Sequence, residues 1–320
     1  MKHLERALDR QNSFWRYLAM TLILFLGAST IGSIPLIMVI VVKIVGGGAM
    51  DSLPENIMDL SHYGIPHNLG YLLLLLGFVA MFFAFKWLVR PLHKRTLSET
   101  INGGGQLRRN RIGMGMLVWG AMMLITLVIG LFTSPENYQL QLQPGRFLIL
   151  LLITLLILPF QTSFEEIFFR GYLSQGIAAA TRSRWWTLII ISLAFGLMHA
   201  ANPEVKEFGF WISMPQYVLM GVILGVVSIL DDGIELALGI HFINNAFFAL
   251  FTTHSFSSLQ TDALFEVKEI NPEMELIWMI IYAVVAITLL GRIYRWDFSI
   301  MNRKVAIHTP SLPPLPHQHE

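Results

Sequence analysis

Long apolar runs separated by short polar connections set the character of this chain. Runs of bilayer-crossing length fall near residues 17–45, 69–89, 112–132, 147–178, 185–201, 216–231, 233–252 and 276–292, where ~20 apolar residues suffice for a helix to cross. The pattern predicts an all-α polytopic membrane protein with eight transmembrane helices. The first and fourth runs exceed the minimum, implying tilt or extension past the bilayer, while the fifth and seventh are marginal. The turn near Asp231 to Gly233 is acidic and very short, which is also compatible with a re-entrant hairpin. The connections at 46–68 and 253–275 are too short for separate domains, and no internal repeat stands out. The expected organisation is a cytoplasmic segment at 1–16, one transmembrane domain at 17–295, and a largely disordered, Pro-rich cytoplasmic tail at 296–320.

Charge distribution orients these spans. With the N-terminus inside, 17 of the 22 Lys and Arg residues fall on the cytoplasmic side. Lys43, Arg146, Lys206 and Lys268 fall outside, and Arg170 lies within a span. An odd number of helices would scramble this alternation, so both termini are expected in the cytoplasm. Lys2, Arg6, Arg10 and Arg16 precede the first run without a small-residue cleavage site, which reads as a retained anchor.

Composition narrows the chemistry. Charged residues make up 13% of the chain against 54% hydrophobic, about half the charged share of soluble domains. A net charge of +1 without interleaved basic and aromatic clusters argues against a nucleic-acid partner; the bilayer itself is the expected surroundings. The absence of cysteine excludes disulfides, thiolate metal sites and a cysteine nucleophile, and fits a bacterial cytoplasmic membrane.

Against this background, Glu165, Glu166 and Arg170 stand out in the fourth span. A charge near a membrane-helix centre costs roughly 2.5–3.5 kcal/mol on insertion scales, so three in six positions call for partners or a polar surrounding. Glu166 and Arg170 are four apart and can pair on one helix face, whereas Glu165 projects about 100° away. Burial without a full counter-charge disfavours its ionised form, the usual condition of a general acid or base. The fifth span brings Phe195 and His199 on one face, and the seventh brings His241 and Asn245, with Asn244 close enough that geometry alone does not choose between the two amides. Counting ~1.5 Å per residue from the cytoplasmic ends puts Glu165 ~20 Å, His199 ~21 Å and His241 ~12 Å deep, compatible with one layer after tilt. Any one of these groups has an ordinary reading as a packing or satisfied core residue; three helices with polar groups at similar depth read as an intramembrane active site. The remaining histidines, His3, His62, His67, His93, His254, His308, His317 and His319, are expected to be solvated or interfacial, and Gly221 and Gly225 to mark close helix packing.

Taken in order, Glu165-Glu166-x-x-x-Arg170, Phe195-x-x-x-His199 and His241-x-x-x-Asn245 resemble the three motifs of the CPBP family (CAAX protease and bacteriocin-processing, or Abi) of intramembrane glutamic endopeptidases, over about residues 147–252. The resemblance implies eight helices enclosing a polar cavity that admits a membrane-associated peptide or protein substrate and a water. It implies that Glu165, assisted by His199, activates the water, that His241 and Asn245 stabilise the oxyanion, and that Glu166, Arg170 and Phe195 order the site. It also implies action without a metal or other cofactor, although by ligand type Glu165, His199 and His241 could hold zinc. A non-catalytic scaffold or immunity-type binding protein and a proton-coupled transporter are the alternatives.

Overall fold

A computed structural model describes residues 3–8, 11–46 and 59–306. Lys2, Arg10, His308, His317, His319 and the Pro-rich stretch from 307 onward lie outside the described residues. The chain is mostly helical. Six helices are long and apolar enough to cross a membrane: α1 (Phe14–Val45), α2 (His67–His93), α4 (Arg109–Thr133), α5 (Pro144–Thr181), α8 (Phe210–Leu230) and α10 (Pro272–Tyr294). This is an integral membrane protein. Four more helices complete the frame: the short helices α3 (Leu97–Asn102) and α7 (Pro203–Phe208), and the apolar helices α6 (Arg184–Met198) and α9 (Glu235–Phe251). The last two have 15 and 17 residues, short of the ~20 of a full crossing.

Lipid-type surface and core separate along the helices. Ile31, Met38 and Val42 on α1 and Val284 on α10 are exposed, as apolar groups facing hydrocarbon are. Inward, Phe164, Phe168, Trp119, Phe195, Ile223 and Ile240 join one continuous core. Small residues set the closest approaches. A Cβ on Gly239 would lie 2.0 Å from the Ile112 carbonyl oxygen, and one on Gly115 would lie 2.4 Å from that of Leu236, so α4 and α9 meet backbone to backbone. A Cβ on Gly221 would likewise lie 2.9 Å from Ser192 and one on Gly225 2.6 Å from Leu188, so the GxxxG pattern packs α8 closely onto α6.

The connections gather at two ends of the bundle. At one end, Arg108 bonds Asp231 at 3.1 Å and Glu235 at 2.6 Å, and Arg111 bonds Asp231 at 3.2 Å. The acidic turn is thus neutralised by Arg108 just before α4 and Arg111 in its first turn. At the other end, three short strands, β1 (Tyr138–Leu140), β2 (Thr252–Thr253) and β3 (Phe265–Val267), form a small sheet. β1 pairs antiparallel with β3, with Tyr138 opposite Val267, and β2 pairs parallel with it. These pieces amend the all-α expectation, and at two or three residues each they are too short to leave an alternating pattern in the sequence.

Two histidines expected in solvent are buried. His3 precedes a single 3-10 turn (Leu4–Ala7) tucked under the bundle, with Leu4 against Ala178, Leu188 and Ile300. Its Nε2 lies 3.0 Å from the Arg170 carbonyl and its backbone N–H donates to Asp232 at 2.9 Å. Arg184 pairs with Glu5 at 3.3 Å, and Arg6 with Glu99. His93, at the end of α2, bonds the Gln11 carbonyl at 2.8 Å and the Tyr172 hydroxyl at 2.6 Å. The segment expected to be a tail from 296 also begins with a packed 3-10 turn (Phe298–Asn302), and Ile300, Met301 and Val305 are buried. In all three cases, apolar neighbours at the bundle end supply burial that no helical period announces.

Two predictions follow from this frame. Gly239→Val forces α4 and α9 apart and lowers stability by roughly 1–3 kcal/mol, read as midpoint temperature in detergent; an unchanged midpoint would show that the contact is dispensable. Burial pushes the His3 imidazole below its ordinary value against the opposing pull of the Arg170 carbonyl. The undocked segment therefore binds a proton that the docked one resists, so docking is intact above about pH 6.5 and weakens below it. Hydrogen exchange at residues 3–8, corrected for intrinsic rates, should rise on acidification in the wild type and lose that dependence in His3→Gln.

Candidate active site

The site is built around a disturbance in α5. Its first part (Pro144–Leu156) ends at Ile157, just before Pro159, which has no N–H to donate to the helical ladder. The helix resumes over Leu158–Glu166 and then widens into a π-helical stretch over Ile167–Leu173. Such stretches shift the register of the carbonyls and concentrate at functional sites. Here side chains collect the displaced acceptors: Ser174 Oγ donates to the Phe169 carbonyl at 2.9 Å, and His3 meets that of Arg170.

Glu166 and Arg170 flank the start of this stretch and are both fully buried. Glu166 Oε1 accepts from an Arg170 guanidinium nitrogen at 2.8 Å and is 2.7 Å from His241 Nδ1. One carboxylate oxygen therefore neutralises the arginine and orients the imidazole. The guanidinium also lies 4.1 Å over the Phe195 ring and 3.4 Å from the Gly221 carbonyl, so a cation–π contact adds to the ion pair. With Nδ1 facing a carboxylate, His241 turns Nε2 toward the other glutamate.

Glu165 takes a different environment. Its Oε1 accepts from Gln161 Nε2 at 2.5 Å. Its Oε2 is buried with no hydrogen-bond partner, 3.6 Å from His241 Nε2. Asn245 Nδ2 donates to Gln161 Oε1 at 3.2 Å and lies 3.3 Å from His241 Nε2. Asn244 faces away toward Trp119, whose indole N–H donates to Asn244 Oδ1 at 3.1 Å.

His199 is placed at the rim of this cluster. It is the residue that ends α6, not an interior helical position, and it is half-buried. Its Nδ1 is 2.8 Å from the Phe195 carbonyl, which makes Nδ1 the donor and leaves Nε2 with its lone pair. The imidazole stacks on Tyr217 at 4.6 Å and 18°, and Phe195 lies between it and His241, 4.7 and 6.0 Å from the two rings. Among the described residues no hydrogen bond or ion pair joins His199 to Glu165.

The structure thus brings Glu165, Glu166, Arg170, Phe195, His241 and Asn245 into one connected cluster, with His199 beside it. Gln161, Tyr217 and Trp119 are participants the sequence reading passed over. Gln161 had a signal: it stands four residues before Glu165, on the same helix face. Tyr217 and Trp119 had none, because an aromatic residue in an apolar span looks like core. Among the described residues, no group of three His, Asp or Glu side chains is arranged to hold a metal ion.

Comparison with known proteins agrees with this picture. Residues 144–247 match the family model described as type II CAAX prenyl endopeptidase Rce1-like, which spans the whole cluster except Trp119. The chain is 30% identical over 275 residues to the uncharacterized protein YyaK of Bacillus subtilis (strain 168), covering 84% of this chain and 89% of that protein. No solved structure matches. The chain belongs to the Rce1-like, CPBP-type family, a family of membrane proteases.

The shared carboxylate makes a stability prediction. Glu166→Gln leaves Arg170 buried without its counter-charge and costs about 3–5 kcal/mol. Glu166→Gln combined with Arg170→Met removes both charges and should recover much of the lost midpoint temperature. A single variant as stable as the wild type would mean that the pair is not what holds this helix.

Proposed function

We propose that this protein is an intramembrane glutamic endopeptidase that hydrolyses a peptide bond of a membrane-associated protein or peptide. The observation that supports this reading is Glu165 Oε2: a buried carboxylate oxygen with no hydrogen-bond partner, beside an imidazole that another carboxylate orients. Glu165 is the general base. It takes a proton from water as the water oxygen attacks the peptide carbonyl, and returns that proton to the departing amine. No covalent link to the enzyme forms. His241 and Asn245 face the same space as Glu165 and stabilise the oxygen that becomes negative, where a low-dielectric setting strengthens polar contacts. His199 assists from the opposite side of Phe195 through its free Nε2, with Tyr217 holding the ring plane. Glu166, Arg170 and Phe195 keep the imidazole of His241 in register.

In this reading α6 and α9 also cross the bilayer, making eight spans around a polar cavity, with both termini on the cytoplasmic side of a bacterial membrane. The reading is supported by the grouping of Arg108, Arg111 and Arg184 at the bundle end that also holds residues 3–8, in keeping with the positive-inside rule. The unit from 17 to 295 acts as one domain. No metal is required, so chelators leave cleavage unchanged. The family name points to prenylated CAAX proteins as the first substrates to test.

Purified protein in lipid nanodiscs, given a farnesylated CAAX peptide with a quenched fluorophore, tests the base. Glu165→Gln should fold normally and lose at least about a hundredfold in kcat. Full activity in that variant would remove Glu165 from the chemistry. A peptidome comparison of membranes carrying wild type and Glu165→Gln extends the same test to substrates that bear no prenyl group.

A further inference from the structure

Four hydrogen bonds run in one direction from α4 to Glu165. Trp119 Nε1 donates to Asn244 Oδ1 at 3.1 Å, Asn244 Nδ2 to Asn245 Oδ1 at 3.1 Å, Asn245 Nδ2 to Gln161 Oε1 at 3.2 Å, and Gln161 Nε2 to Glu165 Oε1 at 2.5 Å. The line passes from α4 through α9 to α5. Three of its members are primary amides, and an amide can exchange its oxygen and nitrogen by a half-turn with little change of shape. Nothing within Asn244, Asn245 or Gln161 decides which way each points. An indole N–H only donates. Trp119 therefore demands an oxygen from Asn244, which turns the Asn244 nitrogen to Asn245, the Asn245 nitrogen to Gln161, and the Gln161 nitrogen to Glu165.

We propose that Trp119 is a positioning residue of this site: its indole N–H fixes the direction of the amide line, so that Gln161 presents an N–H and not a carbonyl oxygen to Glu165. The proposal rests on the reading of Glu165 as the general base. It also separates the two adjacent asparagines. Asn244 is the connector to Trp119, and Asn245 is the amide that faces Gln161 and His241. If the line reversed, Gln161 would present an oxygen to Glu165, which only a protonated carboxyl can satisfy.

The packing around Trp119 suits this role. The residue is 1% exposed and its ring meets Tyr282 edge-on at 5.4 Å. Gly115 and Gly120 on the same helix approach α9 so closely that a Cβ on Gly120 would sit 2.8 Å from the Ile243 side chain. The indole is thereby pressed against Asn244 with little freedom to withdraw. The titratable and charged groups around Glu165 are His241 from α9, Glu166 and Arg170 on its own helix, and His199 beyond Phe195. From α2, Phe78 and Phe82 pack on Phe164 and Phe160. None of these groups changes in the variants below, so the line is the difference that the test reads.

The full-length protein in nanodiscs can be titrated by infrared spectroscopy, with the Glu165 carboxyl band assigned by subtracting Glu165→Gln. This readout needs no substrate. Trp119→Phe keeps an aromatic ring and removes the N–H, and should raise the Glu165 midpoint by roughly one pH unit, the size expected for loss of one donor to a charged group. Asn244→Leu should raise it similarly, and the double variant no further than either single one. Where the farnesylated peptide is cleaved, the acid limb of kcat moves by the same amount, kcat falls roughly tenfold at its foot, and KM stays. A midpoint unmoved in folded Trp119→Phe, or shifts that add in the double variant, overturns the proposal. If Trp119→Phe does not fold, Asn244→Leu decides alone, an unmoved midpoint again being fatal. Loss of the base reading looks different: the midpoint follows the line while Glu165→Gln still cleaves.

Discussion

The carboxylate of Glu166 is the constraint on which the rest of this site depends. Arg170 is buried to the point of having no contact with solvent, and an unpaired charge in that position would unfold the helix or empty the site of its cation. Glu166 supplies the counter-charge four residues earlier, at 2.8 Å, and the same oxygen reaches α9 at His241 Nδ1. Neutralisation and orientation are therefore one interaction. The Phe195 ring beneath the guanidinium ties α6 to the same cation. Three helices are pinned at a point where none could carry its polar group alone.

Adjacent glutamates on one helix take different partners in this arrangement. The helical step of about 100° turns Glu166 toward Arg170 and His241 and Glu165 toward the Gln161 amide. Arg170 and His241 both hold Oε1 of Glu166, and an amide holds Oε1 of Glu165; in each carboxylate Oε2 is buried without a hydrogen-bond partner. The two differ in what holds Oε1: a buried guanidinium and an imidazole for Glu166, a neutral amide N–H for Glu165. The π-helical stretch that follows adds to the separation. It places Arg170 to reach back to Glu166 while its own carbonyl is taken up by His3, a residue 167 positions away in sequence.

How much of this was legible depended on whether a residue violated its surroundings. Glu165, Glu166 and Arg170 announced themselves because charge in an apolar run is costly, and the spacing of four was enough to expect the Glu166–Arg170 pair. His241 and Asn245 were visible as polar interruptions, but the choice between Asn244 and Asn245 was not, since it turns on contacts with α4 that no local pattern encodes. Trp119 and Tyr217 were silent for the opposite reason: an aromatic ring in a membrane span fits so well that its single N–H or stacking face leaves no trace. His3 and His93 were assigned to solvent because they flank spans, and the packing of terminal turns under a bundle has no period to betray it. The helix boundaries were readable to within a few residues for the six long apolar helices. The fifth expected span was drawn past its end, because the apolar character continues through Ala200 and Ala201 after the helix has stopped at Met198.

That early stop bears on how a hydrolase could work here. A helix of 15 residues rises only ~22 Å, against ~30 Å of hydrocarbon. In the proposed membrane arrangement, α6 therefore delivers His199 at its end, where the chain turns through residues 199–202 and the imidazole is half-exposed, while Glu165 and His241 remain enclosed. The two short helices are the ones that carry the imidazoles. A full-length span would bury His199 among side chains with no route for water. In that arrangement a helix that ends at its histidine would instead open the site from the side opposite the basic residues, and let the turn after it meet solvent. Shortness, which looks like a defect when spans are counted, is the feature that would let a peptide bond and a water arrive together at a carboxylate kept dry on every other side.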